Sequence, residues 1–183
     1  MRATMPRHRR LHTGNTWFFT LVSFRRNPVL CLPPIRSALR RAIVDVRGTR
    51  PFDIDAWVLM PDHLHCIWTL PEGDADHAAR WSMIRRAVSR VALVSTVSTG
   101  TRNPSRIEHR DASVWQRGVD AHQIRNDREF ARHVDYIHFN PVRHGHAARA
   151  ADWPYSTFHR YVKQGVYPAD WSGTPQVEAM WIE

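Results

Sequence analysis

Two apolar runs joined by a single turn dipeptide constrain the fold of this chain most strongly. Residues 52–60 and 63–70 are rich in β-branched and aromatic side chains, and the Pro-Asp dipeptide between them is typical of a tight turn. The pair therefore predicts a β-hairpin. Side chains alternate between the two faces of a strand, so His63 and His65 in the run DHLHCIW lie on the same face as neighbours.

The rest of the hydrophobic pattern predicts further elements around this hairpin. We expect a strand over 16–24, a helix from Pro33 to about Val46 that ends before Gly48, a helix over 76–94, a loop over 95–111, short edge strands over 114–117 and 121–124, and a helix opened by Asn126. Pro141 disfavours helical backbone at the preceding residue, so the last helix should stop near Phe139. This order predicts a single-domain α+β fold, a ferredoxin-like antiparallel β-sheet with helices packed on it.

The charge of the chain indicates the class of its partner. The 183 residues include 26 Lys and Arg against 17 Asp and Glu, which gives a formal net charge of +9. Because the excess is carried almost wholly by arginine, which forks onto phosphate, it favours nucleic acid as the partner before membrane. A basic soluble protein without such a partner is the alternative.

Several arginines are candidate contacts to DNA. Two lie in a basic N-terminal arm over 1–13, three on the polar face of the helix over 76–94, and two near later motifs. They are Arg9, Arg10, Arg80, Arg85, Arg86, Arg117 and Arg143. A solvated helix face is the commoner role of such charges, and that alternative stays open.

Cysteine usage and hydropathy bear on localisation. Cys31 and Cys66 are too few for a disulfide framework, and no apolar run reaches the length of a membrane span. We therefore expect a cytoplasmic protein associated with the nucleoid, neither exported nor inserted in a membrane.

The histidine pair is a candidate metal-binding feature. Two neutral imidazoles on one face of one strand, here His63 and His65, can bind a divalent ion, but a pair alone is an incomplete site. Structural histidines or contacts to phosphate are the alternatives.

A second constellation lies in the last predicted helix. Tyr136 and Asn140 are four residues apart, so a helical turn presents a hydroxyl and an amide side by side on one face. The alternatives are a half-buried packing role for Tyr136 and a helix C-cap role for Asn140, which precedes a proline.

Taken together, these motifs resemble one family. The DHLHCIW run after WVLMP, the WQR segment at 115–117, and YIHFNPVRHG followed by DWPYS are similar to the single-tyrosine HUH transposases, specifically their REP-associated branch. The resemblance runs from about Gly14 to Tyr161, with three motifs in the order of that family. It divides the chain into the arm over 1–13, a transposase-like domain over 14–161, and a tail over 162–183.

The resemblance implies roles for particular residues. His63 and His65 match the pair that holds a divalent metal, Asn140 matches a further metal ligand, and Tyr136 matches the nucleophile. A mixed imidazole and amide set permits Mg²⁺ or Mn²⁺. The implied activity is cleavage and transfer of single-stranded DNA beside a hairpin of the repetitive extragenic palindrome (REP) kind, through a 5′-phosphotyrosine, by a protein more often monomeric than dimeric.

Two other functions remain open on the sequence. A catalytically inactive nucleic-acid-binding protein is one, because the segment 118–121 lacks the aromatic residues usual in the family at that point. A metal-dependent hydrolase that uses water is the other. Its weakness is the absence of a nearby base, since alternation predicts that Asp62 faces away from His63.

Overall fold

A computed structural model of the protein describes residues 15–98 and 114–173, and for 93–98 it describes the backbone alone. The predicted arm with Arg9 and Arg10 lies outside the described residues, as does most of the predicted loop over 95–111.

The described elements follow the predicted order. They are β1 (Thr16–Val22), α1 (Pro33–Thr49), β2 (Asp53–Leu59), β3 (His63–Thr69), α2 (His77–Ser98), β4 (Asp120–Gln123), α3 (Asp127–Arg143) and α4 (Phe158–Lys163). Short 3₁₀ turns occur at Phe24–Arg26 and Ala150–Asp152. The predicted hairpin is therefore β2 and β3, joined through Pro61 and Asp62.

The four strands form one antiparallel sheet in the spatial order β2-β3-β1-β4. This order, with α1 and α2 as the two crossover helices, is that of the ferredoxin-like fold, so the predicted α+β class is confirmed. β3 lies inside the sheet, and its partner β1 places Thr20 directly opposite His65.

Alternation along β3 divides the core into two layers. Leu64, Cys66 and Trp68 pack in the cluster that holds α1 and α2, whereas Ile67 packs with α3 and α4 in a second cluster. Odd-numbered positions of β3 consequently face α3. The histidine pair is carried on that face, as the alternation predicted.

Three helices run past their predicted ends, and α2 reaches Ser98 where residue 94 was expected. α1 runs through Gly48 to Thr49, because glycine weakens a helix by only about 1 kcal/mol and the N–H of Arg50 still reaches the Val46 carbonyl at 2.7 Å. α3 runs through Pro141 to Arg143, and the Asn140 carbonyl accepts the His144 N–H at 3.0 Å. The expected stop near Phe139 is wrong, because burial of the whole turn outweighs the backbone bias that a proline imposes.

One predicted strand does not form. Residues 114–117 are not a strand, and Trp115 makes an isolated bridge to Ser23. Residues that follow Tyr161 also pack in the second core cluster, where Tyr167 is 7% exposed and has Trp171 beside it. These aromatic side chains bury apolar surface that a tail detached from the core would expose to water.

Among the helices of the described residues, none is long and apolar enough to cross a membrane.

Candidate active site

The four residues singled out by the two motifs meet between β3 and α3. His63 Nε2 lies 3.0 Å from Asn140 Oδ1, and the Tyr136 hydroxyl lies 3.4 Å from His65 Nε2. All four side chains are buried, with Tyr136 the most exposed at 6%. Residues 71 to 77 positions apart in the chain are thus brought together in one cluster.

α3 is held in place by its start and by its apolar face. Asn126 caps the helix by accepting the N–H of Glu129 at 2.9 Å. Phe130, Val134 and Ile137 lie in the second core, as their spacing predicted. With that face fixed against the sheet, the turn that carries Tyr136 and Asn140 lies over β3.

His65 is neutral in this setting. Its Nδ1 pairs with the Thr20 hydroxyl at 2.9 Å. Burial lowers the pKa of His65 well below its ordinary value, and the nearby positive groups of His63, His144 and Arg143 lower it further. When Nδ1 carries the ring proton and Thr20 accepts it, Nε2 presents its lone pair toward Tyr136.

Asp62 contacts His63, which corrects the expectation that alternation separates them. Its Oδ1 lies 2.7 Å from His63 Nδ1, because Asp62 belongs to the turn before β3 rather than to the pleated strand. Burial alone would raise the pKa of Asp62, but the hydrogen bond from His63, the electrostatic interaction with that ring and the interaction with Arg26 together outweigh it, so the pKa lies below its usual value. The carboxylate stands behind His63, on the side of the ring away from Asn140.

The donors fit a divalent ion. When the ring proton of His63 lies on Nδ1 and is donated to Asp62, His63 Nε2 is an acceptor, as Asn140 Oδ1 is. These two acceptor atoms lie 3.0 Å apart. Asn140 Nδ2 is buried without a hydrogen-bond partner among the described residues. A cation satisfies two such facing acceptors, whereas a hydrogen bond between them does not form.

The ligand set would include an amide. Residues 15–98 and 114–173 contain no group of three His, Cys, Asp or Glu side chains arranged for a metal. His63 Nε2, His65 Nε2 and Asn140 Oδ1 would therefore be the protein donors, a neutral set of nitrogen and oxygen that suits Mg²⁺ or Mn²⁺ with solvent in the other positions.

The end of α3 adds an arginine and a histidine to the cluster. The Arg143 guanidinium lies 5.8 Å from the centre of the Tyr136 ring. The exposed His144 ring lies 5.0 Å from that of His63, and burial together with the charges of His63 and Arg143 lowers the pKa of His144. Among the predicted DNA contacts that the structure describes, Arg143 lies beside the candidate nucleophile.

Known proteins place this chain in a family. A REP-associated tyrosine transposase of Escherichia coli strain K12 is 44% identical over 170 residues, which are 92% of this chain and 92% of that protein. The chain belongs to the REP-associated tyrosine transposase family. A relative from Haemophilus influenzae, named for the same family, is 36% identical over 175 residues, or 95% of this chain and 97% of the relative.

A solved structure agrees with the family assignment. The structure of a REP-associated tyrosine transposase bound to a REP hairpin superposes with a TM-score of 0.71 at 41% identity, and the match covers 94% of this chain and 93% of that one. No protein-family model matches the chain. The resemblance seen in the motifs is confirmed, and the protein is a transposase.

The arginines predicted to contact DNA lie in different environments in this transposase. Arg80 is 1% exposed and forms a two-pronged pair with Asp74, at 2.6 and 3.1 Å. The guanidinium is thus enclosed inside the protein, which disfavours the predicted contact of Arg80 with DNA. Arg85 is half-buried and donates to the Gln116 carbonyl at 2.7 Å, whereas Arg86 and Arg117 are exposed.

Three residues of the cluster were not found from the sequence. Thr20 reaches His65 only through the register of β1 on β3, which no local pattern encodes. Asp62 directly precedes His63, and its place in the predicted turn was the signal that strand alternation need not apply to it. His144 follows the helix that was expected to have ended already.

Proposed function

We propose that this transposase is a metal-dependent single-stranded DNA endonuclease and strand transferase that acts on REP-type hairpin DNA through a 5′-phosphotyrosine at Tyr136. One observation carries the proposal. The Tyr136 hydroxyl lies 3.4 Å from His65 Nε2, inside the cluster of three neutral metal donors. The candidate nucleophile therefore lies next to the candidate metal ligands.

Hairpin DNA as the substrate is supported by likeness and by charge. The related transposase at 41% identity is described as bound to a REP hairpin. The net charge of +9 favours the phosphate backbone, and the exposed Arg86 and Arg117 can contribute to it. Because Tyr136 is only 6% exposed, an unpaired strand beside the hairpin suits the site better than a rigid duplex.

The residues of the cluster divide the chemical work. Tyr136 supplies the attacking oxygen, and the Arg143 cation 5.8 Å from its ring centre stabilises negative charge that develops on it. A divalent ion, Mg²⁺ or Mn²⁺, bound by His63, His65 and Asn140 would polarise the scissile phosphate and stabilise charge on its oxygens. Thr20 and Asp62 orient the two imidazoles.

The reaction balances without an energy source. A bond forms between Tyr136 Oη and the phosphorus, and the bond from phosphorus to the 3′-oxygen breaks. The phenol loses a proton and the 3′-oxygen gains one, which leaves a 5′-phosphotyrosine and a free 3′-OH. Since one phosphodiester replaces another, a 3′-OH can reverse the step and join strands without ATP.

Replacement of the nucleophile tests the proposal. We expect Tyr136→Phe to abolish the covalent protein-DNA adduct while hairpin binding persists, because the ring still packs and only the hydroxyl is lost. The measurement uses labelled single-stranded REP hairpin DNA, Mn²⁺ and a denaturing gel, with a mobility shift for binding. Tyr161→Phe is the matched control, since Tyr161 is also a buried tyrosine, lies in the second core cluster outside the candidate site, and should keep the adduct.

The same gel separates the alternatives. A catalytically inactive DNA-binding protein gives a mobility shift but no adduct in Mg²⁺ or Mn²⁺. A water-using hydrolase gives cleavage that survives in Tyr136→Phe. Either result contradicts the proposed function.

We propose further that the active form is a monomer, which light scattering of the hairpin complex would check.

A further inference from the structure

We propose that Asp62 is a positioning residue that fixes the tautomer of His63, so that Nε2 always presents a lone pair to the site. This inference rests on the proposed function for its purpose, but it concerns a contact within the chain that can be measured without catalysis. Asp62 opens the DHLHCIW run, but strand alternation predicted that it faces away from His63, so no role was assigned to it from the sequence.

The contact between the two side chains is short and sheltered. Asp62 Oδ1 lies 2.7 Å from His63 Nδ1, and the His63 side chain is 5% exposed. A carboxylate accepts only, so the bond requires that Nδ1 carries the proton. The neutral ring then has no proton on Nε2, which lies 3.0 Å from Asn140 Oδ1.

The backbone holds Asp62 in this position. Its carbonyl accepts the N–H of Ser23 at 2.7 Å, which ties the turn before β3 to the end of β1. The carboxylate is therefore fixed from the main chain as well as from the imidazole. A free surface aspartate would have no such restraint.

Arg26 is a second partner of the same carboxylate, and it lies in a strained segment of backbone. Arg25 and Arg26 both have positive φ angles, 53° and 51°, which non-glycine residues adopt at a cost. Arg26 reaches Asp62 Oδ2 at 3.4 Å, but its side chain is 61% exposed. An exposed pair of this length is weak, so His63 and not Arg26 is the partner that matters for the site.

A carboxylate behind a ligating histidine has a known physical effect. It sets the ring orientation and makes the far nitrogen more basic, and loss of such a partner lowers metal affinity by roughly 10-fold to 100-fold. Asp62 is thus expected to act on the candidate metal site through His63 without touching the metal. His65 receives a similar but uncharged partner in Thr20.

The first measurement is made on the metal-free protein. Long-range ¹H–¹⁵N correlation spectra of histidine-labelled protein report which ring nitrogen is protonated, and the His63 signals are assigned by their loss in His63→Gln. We expect the Nδ1–H form in the wild type, in Asp62→Asn, whose amide oxygen still accepts, and in Arg26→Met. In Asp62→Ala the Nε2–H form should gain at least a several-fold larger share.

The second measurement is Mn²⁺ binding, followed by the electron paramagnetic resonance signal of free Mn²⁺. Asp62→Ala should weaken binding by roughly 10-fold to 100-fold, Asp62→Asn by less, and Arg26→Met little. An unchanged tautomer or unchanged Mn²⁺ affinity in Asp62→Ala would overturn the role of Asp62. If Asp62→Ala does not fold, Asp62→Asn is measured instead. A ratio of Nδ1–H to Nε2–H forms in that variant equal to the ratio in free histidine would overturn the role of Asp62.

The outcomes distinguish this inference from the proposed function. If wild-type protein bound no Mn²⁺, the metal-dependent function would fail, whereas the tautomer comparison would still decide what Asp62 does to His63. If Mn²⁺ bound and the adduct formed with no change of tautomer in Asp62→Ala, the function would stand and the positioning role would be wrong.

Discussion

Buried histidines in this protein differ by the partner of each ring. His63 is bonded to a carboxylate and His65 to a hydroxyl, and both face the candidate site. His138 lies on the same helix as Tyr136 but packs in the second core layer, where its Nε2 pairs with the Thr157 hydroxyl at 3.0 Å. It is fully buried, and it serves the core and not the site.

The environment of His138 predicts a pH dependence of stability. Burial lowers the pKa of His138 to about 3, while an unfolded chain has the ordinary value of 6.5. The folded state therefore binds fewer protons, so stability is fully present above pH 6.5 and is lost as the pH falls toward 3. The loss should approach about 1.4 kcal/mol per pH unit below 6.

Urea unfolding between pH 5 and pH 7.5 checks this expectation. The variant His138→Gln cannot titrate and should show a flatter stability curve than the wild type, with the two curves approaching each other as the pH falls. A constant difference across that range would contradict the prediction.

Among the elements, α2 shows how one helix face can serve two purposes. The sequence periodicity places its arginines on a polar face, and Arg86 is indeed exposed. Arg80 instead lies at the start of the helix, where Asp74 and the carbonyls of Arg50 and Pro51 surround it. A charge count along a helix does not reveal which charges are enclosed by the preceding loop.

A pair of substitutions on α2 separates these roles. Arg80→Met should lower the free energy of unfolding by about 3 kcal/mol, because it leaves buried acceptors and Asp74 without their donor. Arg86→Met should change stability by less than about 0.5 kcal/mol and weaken hairpin binding. Chemical denaturation and a binding titration measure the two effects. Weaker stability in Arg86→Met than in Arg80→Met would contradict the assignment.

At the scale of the whole molecule, the fold is closed by residues beyond the family motifs. Tyr167 packs between Phe158 and Trp171, and its hydroxyl donates to Asp135, the residue before the candidate nucleophile. Burial raises the pKa of Asp135 although that hydrogen bond opposes the rise. The segment after α4 thus supports α3 through the contact of Tyr167 with Asp135.

Truncation of Tyr167 tests this support. Tyr167→Ala should destabilise the protein by about 3 to 5 kcal/mol, because it empties an aromatic site in the core. The neighbouring exposed Lys163→Ala should change the free energy of unfolding by less than about 0.5 kcal/mol. Equal stability of the two variants in thermal or urea unfolding would show that the domain ends at α4.

The sequence alone determined the element order and the identities of the main candidate residues. Period-2 and period-3.6 patterns are local properties, so β3, α3 and the shared face of His63 and His65 could be predicted. The spacing of Tyr136 and Asn140 likewise follows from one helical turn. The residue types therefore indicated which side chains to consider, and the resemblance to the family implied their roles as metal ligands and nucleophile.

Only the tertiary structure decided which groups meet. The register of β1 on β3 brings Thr20 to His65, and the turn geometry brings Asp62 to His63 against the simple alternation rule. The burial of Arg80 and the course of α3 through Pro141 were decided by packing that outweighs local bias. Contacts between distant segments depend on the free energy of the whole fold, which no short stretch of sequence contains.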